Sequence, residues 1–254
     1  MRARGLAFAF LPALLALSAG ALADDTVDFD RPGLGFGSNV LPRGGLIWEQ
    51  GLPSFERDHL SGGERDTQYS ADTLLRLGLG GDWELQLATT PWQWQRTRAA
   101  EGDSIERGFG DTTLGLKRAL PASSDDFSWA LLASYGLRSG ARAVRPQRHA
   151  VSAGLDAQWD LGQNRNVSLY GSFARDDDGH GWLLSPSYGY ALSSDLNGYV
   201  EAAVGSGDQL HRALGTGLTF SPSQALQLDV SVLRGLAPGQ GSWQAGLGVS
   251  YRFR

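Results

Sequence analysis

The sequence predicts an all-β protein, a 12-stranded antiparallel transmembrane β-barrel of the bacterial outer membrane, and three observations carry that prediction. The segment 242–253 alternates strictly: Trp243, Ala245, Leu247, Val249, Tyr251 and Phe253 share one face, and Gln244, Gly246, Gly248, Ser250 and Arg252 share the other, because side chains in a strand have period two. A charge facing lipid at the bilayer midplane costs about 2–4 kcal/mol, so such segregation is what an embedded strand requires. The opposite end of the chain carries an export signal. Between the two, the same alternating rhythm recurs, with short and long connections taking turns.

Taken in order, the first element is 1–23. Arg2 and Arg4 precede an apolar run from Leu6 to Leu17, and Ala21-Leu22-Ala23 gives a small-x-small pattern before Asp24. This reads as a secretory signal peptide cleaved after Ala23. The apolar run is shorter than the roughly 20 residues of a spanning helix, and Pro12 interrupts it. The next element, 24–43, contains Gly33, Gly35 and Gly37 and is expected to be a flexible periplasmic lead; an inward plug is the alternative. The barrel itself is assigned to 44–254.

Twelve strands are predicted at 44–55, 68–79, 82–95, 109–120, 127–138, 149–161, 166–175, 181–192, 195–205, 210–220, 225–235 and 242–253. In the fifth, Phe127, Trp129, Leu131, Ala133, Tyr135 and Leu137 oppose Ser128, Ser134, Gly136 and Arg138. In the sixth, Val151, Leu155, Ala157, Trp159 and Leu161 oppose Ser152, Gly154, Asp156, Gln158 and Asp160. The first strand is less regular. The third loses its phase near Pro91, where Trp92 and Trp94 take the parity opposite to Trp83, Leu85 and Leu87, which predicts a β-bulge.

With both termini on the periplasmic side, inner turns should be short and outer loops long. Gly80-Gly81, Ser193-Ser194 and 221–224 fit as inner turns, and 56–67, 96–108 and 139–148 fit as outer loops; the inner turn at 122–126 is longer than the rule favours. Alternation alone does not say which face points inward, because a soluble barrel hides the same apolar stripe inside. Aromatic placement decides for the membrane. Trp48, Tyr69, Trp83, Trp129, Trp159, Trp182, Tyr190, Trp243 and Tyr251 lie on the apolar face, mostly near strand ends, where amphipathic rings sit at lipid–water boundaries.

Composition excludes several classes. The chain has no cysteine, which removes disulfide, thiolate-zinc and cysteine-nucleophile chemistry. Its net charge is −5, and losing Arg2 and Arg4 with the leader makes the remainder more acidic, which disfavours nucleic acid. Beyond the leader no apolar run reaches the length of a spanning helix. Glycine, 35 of 254 residues, is about twice ordinary usage and scattered through the alternating segments, as expected where a sheet curves.

The ordered motifs Asp30-Arg31-Pro32-Gly33, Leu41-Pro42-Arg43-Gly44, Glu49-Gln50-Gly51, Leu74-Leu75-Arg76-Leu77-Gly78, Trp83-Glu84-Leu85, Gly108-Phe109-Gly110-Asp111 and Leu114-Gly115-Leu116-Lys117 resemble those of a bacterial outer-membrane transporter family. That family is labelled "putative meta-pathway of phenol degradation". The motifs span the N-terminal half of the mature chain; the later half matches in strand rhythm. Gly248, Tyr251 and Phe253 also resemble the C-terminal signal recognised during barrel assembly. The resemblance implies an outer-membrane barrel for uptake of small, often aromatic, compounds.

Strand parity turns Glu49, Asp72, Arg76, Glu84, Asp111, Lys117, Arg138, Asp156, Asp160, Glu201, Asp229 and Arg252 inward. Charges inside a barrel must pair or stay hydrated, so Asp72 with Arg76 and Asp111 with Lys117 are expected pairs. The same charges can line a selective pore, and their acidic excess favours cations or neutral solutes. Twelve strands imply a narrow path. Catalysis is not expected: His149 and Ser152 are three apart and face opposite ways, His180 and His211 lack a serine two positions away, and all three of His59, His180 and His211 fall near expected external strand ends, where histidines are usually solvated polar groups. Asp176-Asp177-Asp178 reads as a solvated charge run more readily than as a cation site. Arg138, Arg142, Arg145 and Arg148 suit lipopolysaccharide phosphates or plain solubility.

The sequence therefore leads to a passive outer-membrane channel for small solutes, with aromatic compounds among the candidates. No cofactor, metal or catalytic residue is expected, and the partners are outer-membrane lipid, lipopolysaccharide and a small-molecule solute. A structural or adhesive barrel is the alternative, and a lipid-modifying enzyme a more remote one.

Overall fold

The computed structural model of the protein describes residues 28–59, 64–144, 149–177, 179–207, 212–236 and 241–253. The expected signal peptide 1–23 and the first residues of the expected lead lie outside the described residues, as do Arg145, Arg148, Asp178 and His211. The strands are β1 (Leu46–His59), β2 (Arg65–Gly80), β3 (Trp83–Ala99), β4 (Gly102–Gly108), β5 (Thr112–Leu120), β6 (Phe127–Leu137), β7 (Ala150–Asp160), β8 (Arg165–Arg175), β9 (His180–Ala191), β10 (Leu196–Ser206), β11 (Arg212–Ser223), β12 (Leu226–Gly235) and β13 (Trp243–Phe253).

All pairings are antiparallel and, apart from β4 and β5, which both pair with β3, join sequence neighbours; β1 pairs with β13 through Leu46↔Phe253 to Arg57↔Trp243, and the β2–β3 ladder completes the ring. Thirteen segments make a closed 12-stranded barrel because β4 and β5 share one position. The lower part of β3 pairs with β5 (Trp83↔Arg118 to Thr89↔Thr112), and its upper part pairs with β4 (Gln93↔Gly108 to Ala99↔Gly102). "Lower" denotes the end where β1 begins and β13 finishes. Most of the expected outer loop 96–108 is thus a hairpin continuing above the barrel, its β3 arm also paired with β2 from Arg65↔Arg98 to Ala71↔Trp92. Both of its faces meet solvent, so the apolar alternation that marks the other strands is missing there, and Ile105 is exposed.

The register slips where proline interrupts a ladder. Between Ala71↔Trp92 and Thr73↔Thr89, β3 carries one extra residue around Pro91, which is the expected bulge. A second bulge lies at Pro53, between Gln50↔Thr73 and Ser54↔Ser70, and accounts for the irregular first strand. Proline has no N–H to give to a ladder and is accommodated where pairing breaks.

Burial is inverted relative to a soluble protein. Leu131, Leu214, Val230 and Leu247 stand exposed on the outer face, whereas Glu49, Arg76, Glu84 and Lys117 are 0% exposed inside. Aromatic side chains collect toward both ends of the outer face. Phe55, Tyr69 and Trp94 form one contiguous row near the upper end, and Phe127 with Trp159 and Tyr251 with Phe253 lie near the lower end. Arg118 lies over Trp83 at 4.9 Å and Arg234 over Trp243 at 4.6 Å, placing cationic heads beside the rings.

The segment ending at Arg43, expected as a periplasmic lead, runs inside the barrel over its described part, 28–43. Phe36, Ser38 and Leu41 are buried, and the segment's hydrogen bonds reach β1, β3, β10 and β12 around the wall. Parity could not foresee this, because it reads strands only. The segment leaves the lumen through a tight turn in which Gly44 adopts φ 80° and donates to the Gly78 carbonyl at 2.8 Å. Gly78 has no space for a Cβ, since the Leu41 and Pro42 carbonyls press on it.

Candidate functional site

The inward face of β1–β3 supplies Glu49, Arg76 and Glu84, and β5 supplies Lys117, each from the period-two stripe that avoids lipid. Arg76 donates to Glu84 through Nε (2.8 Å) and Nη2 (3.1 Å), to Glu49 at 3.2 Å and to the Asp28 carbonyl at 2.8 Å. The hub that ties these groups together is Asp30, from the N-terminal segment. It lies 3.2 Å from Arg76 and 3.2 Å from Lys117, and it accepts from Gln86 at 2.9 Å and from the Gly37 N–H at 2.9 Å. Burial alone favours a neutral Asp30, but Arg76 and Lys117 outweigh it and hold the carboxyl below the usual carboxylate range.

Arg31 points the other way and grips Asp229 of β12, Nη2 to Oδ1 at 3.1 Å and Nε to Oδ2 at 3.2 Å. Its path crosses Gly51, Gly246 and Gly248, where a larger residue would meet the guanidinium. Backbone groups complete the hold. Glu49 accepts from the N–H groups of Asp30 (3.0 Å) and Arg31 (2.9 Å), Glu201 from Leu34 (3.0 Å), and Glu84 from Leu41 (3.0 Å). Phe36 meets Tyr170 edge-on at 5.6 Å and lies 5.2 Å from the Lys117 ammonium. Buried carboxylates are costly unless paired and hydrogen-bonded; here an N-terminal strap satisfies much of the charged wall.

Of the twelve residues that parity turned inward, Glu49, Arg76, Glu84, Lys117, Asp156, Glu201 and Asp229 are buried in the lumen. Asp72 is half-buried above the strap and accepts from Ser70 (3.3 Å) and Thr90 (2.8 Å); Asp111 accepts from the Gly140 N–H at 2.6 Å. Arg252 lines the lower mouth. Asp160 and Arg138 are exposed at the rims, and Asp160 accepts from the turn residue Gly162 at 2.7 Å. The expected pairs Asp72–Arg76 and Asp111–Lys117 do not form: both cations turn to the strap instead. Asp30 and Arg31 were the residues that parity missed. Their adjacency to glycines at 33, 35 and 37 was the signal, since Gly33 and Gly35 pass close to Glu201, Tyr170 and Asp156.

The strap divides the lumen. Below it lies a cavity of about 410 Å³, and above it two of about 470 and 280 Å³. One apolar patch, Leu183, Ala203, Ala213 and Leu233, faces inward in the upper half and packs against Leu34 of the strap. His149 lies outside this region, 3.2 Å from the Tyr135 hydroxyl with the rings stacked. Among the described residues no group of three acidic or histidine side chains is arranged for a metal ion.

The chain belongs to the family described as "Putative MetA-pathway of phenol degradation", whose profile matches residues 29–253. No curated protein matches it. Among solved structures it is similar to an outer membrane channel from Pseudomonas putida F1, at 16% identity and a TM-score of 0.64, over 89% of this chain and 100% of that one. It is also similar to the KdgM porin in complex with oligogalacturonate, at 15% identity and a TM-score of 0.55, over 79% and 99% of the two chains. The β domain of the Bordetella autotransporter BrkA gives 11% identity and a TM-score of 0.55, over 82% and 98%. At these identities the likeness is one of fold: the protein is a bacterial outer-membrane β-barrel.

Proposed function

We propose that the protein is a passive, narrow channel for small solutes across the outer membrane. The observation that carries this reading is the lumen itself: a closed barrel with a polar, charged interior that keeps cavities of about 410 and 470 Å³ on opposite sides of one thin strap. A barrel built only as a rigid anchor needs no such space. The strap narrows the path and lines it with fixed charge, the two features by which a pore selects. Membership of a family described by phenol degradation supports aromatic compounds as one solute class, and Leu34 of the strap gives an apolar ring a contact in the upper cavities.

The protein performs no chemical step on this reading. His149 is engaged by Tyr135, while Ser152 belongs to the opposite, lumenal stripe, so the two do not form a base–nucleophile pair. On this reading outer-membrane lipid surrounds the apolar stripe, and the exposure of Arg138 and Arg142 supports contact with lipopolysaccharide phosphates.

The extensive clamp on the strap favours a second reading, a sealed structural or adhesive barrel. Solute-dependent swelling of liposomes holding the purified protein separates the two. The channel reading expects swelling that slows steeply with solute size; a folded barrel that never admits solute would leave the structural reading.

A further inference from the structure

The cavity below the strap has a chemistry of its own, distinct from the clamp. Asp156 projects into it from β7 and is 3% exposed. Among the described residues none donates a hydrogen bond to its carboxylate, and the Lys117 ammonium, whose field reaches it, makes its ion pair with Asp30 at 3.2 Å. A buried carboxylate without a donor is costly and ready to accept one from a solute. Glu201 borders the same cavity and uses Oε2 for the Leu34 N–H.

Asp30 and Arg31 of the strap also border the chamber but are paired with Arg76, Lys117 and Asp229, and Arg252 stands at its mouth; the barrel wall between them is largely hydroxyl and amide surface. Ser168 and Ser187 lie 2.8 Å apart, either able to donate, and Asn166, Asn197 and Thr219 continue the lining. Tyr170 adds an aromatic edge. Acidic groups outnumber basic ones around the chamber, which disfavours anionic solutes, and among the described residues no metal-type cluster offers a site for a bare divalent cation. Hydroxyl and amide groups around an acceptor suit a molecule that both donates and accepts many hydrogen bonds without net charge.

We propose that the lower chamber is a binding site for a small neutral polyhydroxylated solute, a monosaccharide or polyol, with Asp156 accepting from its hydroxyls. The proposal rests on the channel reading and names one solute class for it. Binding and permeation are measured separately, so that each can fail alone.

The test is saturation-transfer NMR on the detergent-solubilised full-length barrel, with D-glucose as the probe and phenol and benzoate as comparators. Glucose should bind, benzoate should not, and Asp156→Ala should weaken glucose by at least about tenfold, as loss of a charge-assisted hydrogen bond implies. Asp156→Asn, which keeps an acceptor, should lose less, and Ser187→Phe, which fills the chamber from β9, should abolish binding while heat-modifiable gel migration shows a folded barrel. Glucose affinity unchanged in Asp156→Ala, or phenol binding without glucose binding, would overturn the site and leave the channel reading standing. Glucose binding with no swelling for any solute would uphold the site and overturn the channel.

Discussion

Removal of the Arg31 guanidinium should loosen the strap and raise ion current. In the structure Arg31 makes two charge-assisted bonds to Asp229, at 3.1 and 3.2 Å, and its side chain is 20% exposed whereas that of Asp229 is 0% exposed. Truncating one partner of a buried pair typically costs about 3–5 kcal/mol, mostly because the other charge is left unpaired. The partial hydration of Arg31 lowers this to about 2–3 kcal/mol, which multiplies the undocked population by roughly 30 to 150. Arg31→Met is the informative variant, since it keeps the stem that packs beside the glycines. Planar-bilayer recordings should show more frequent or larger current steps for Arg31→Met and for Asp229→Asn. The double variant should fall well short of the sum of the two, because no charge is then stranded. Strict additivity, or wild-type current in all three, would refute the idea that this pair holds the strap across the lumen.

Gly35→Val should also weaken docking, by about 1–3 kcal/mol, because a Cβ there meets Tyr170 at 3.0 Å and Asp156 at 3.2 Å; faster liposome swelling than wild type is the readout. Gly78→Ala should cost about 3 kcal/mol, since its Cβ overlaps the Leu41 and Pro42 carbonyls where the strap leaves the lumen, and a lower temperature for loss of heat-modifiable migration checks it. Leu131→Arg, on the outer face of β6, should reduce folding stability in lipid vesicles by about 2–4 kcal/mol in urea titrations, whereas a cost near zero would mean that this face does not meet hydrocarbon.

The barrel was largely legible because a membrane strand must obey period two: β13 does so along its whole length, and β6 and β12 depart only near Leu132 and at Leu233 and Arg234. Even the bulge at Pro91 showed as a change of parity in the tryptophans. Where lipid stops constraining the chain, the signal fades: the hairpin formed by upper β3 and β4 has water on both faces and reads as a loop. The lumen was half legible. Parity placed Arg76 and Lys117 inside, but pairing depends on what lies across the cavity, and Asp30 is 87 positions from Lys117 in sequence. Nothing in a strand pattern announces a coil threaded through a barrel. Ile47 and Leu183 mark a related limit, since they face inward and are buried there, so an apolar side chain on the lumenal stripe does not by itself reverse a strand.

Which stripe meets water decides whether the barrel spans a membrane. The chain has no cysteine, so single introduced cysteines report cleanly. In lipid vesicles, a membrane-impermeant maleimide should label a cysteine at Gln68 or Gln244, which line the upper cavity, and leave one at Leu228 or Val230, on the outer stripe, unreacted. Rapid labelling at Leu228 and Val230 with protection at Gln68 and Gln244 would contradict a membrane-spanning barrel.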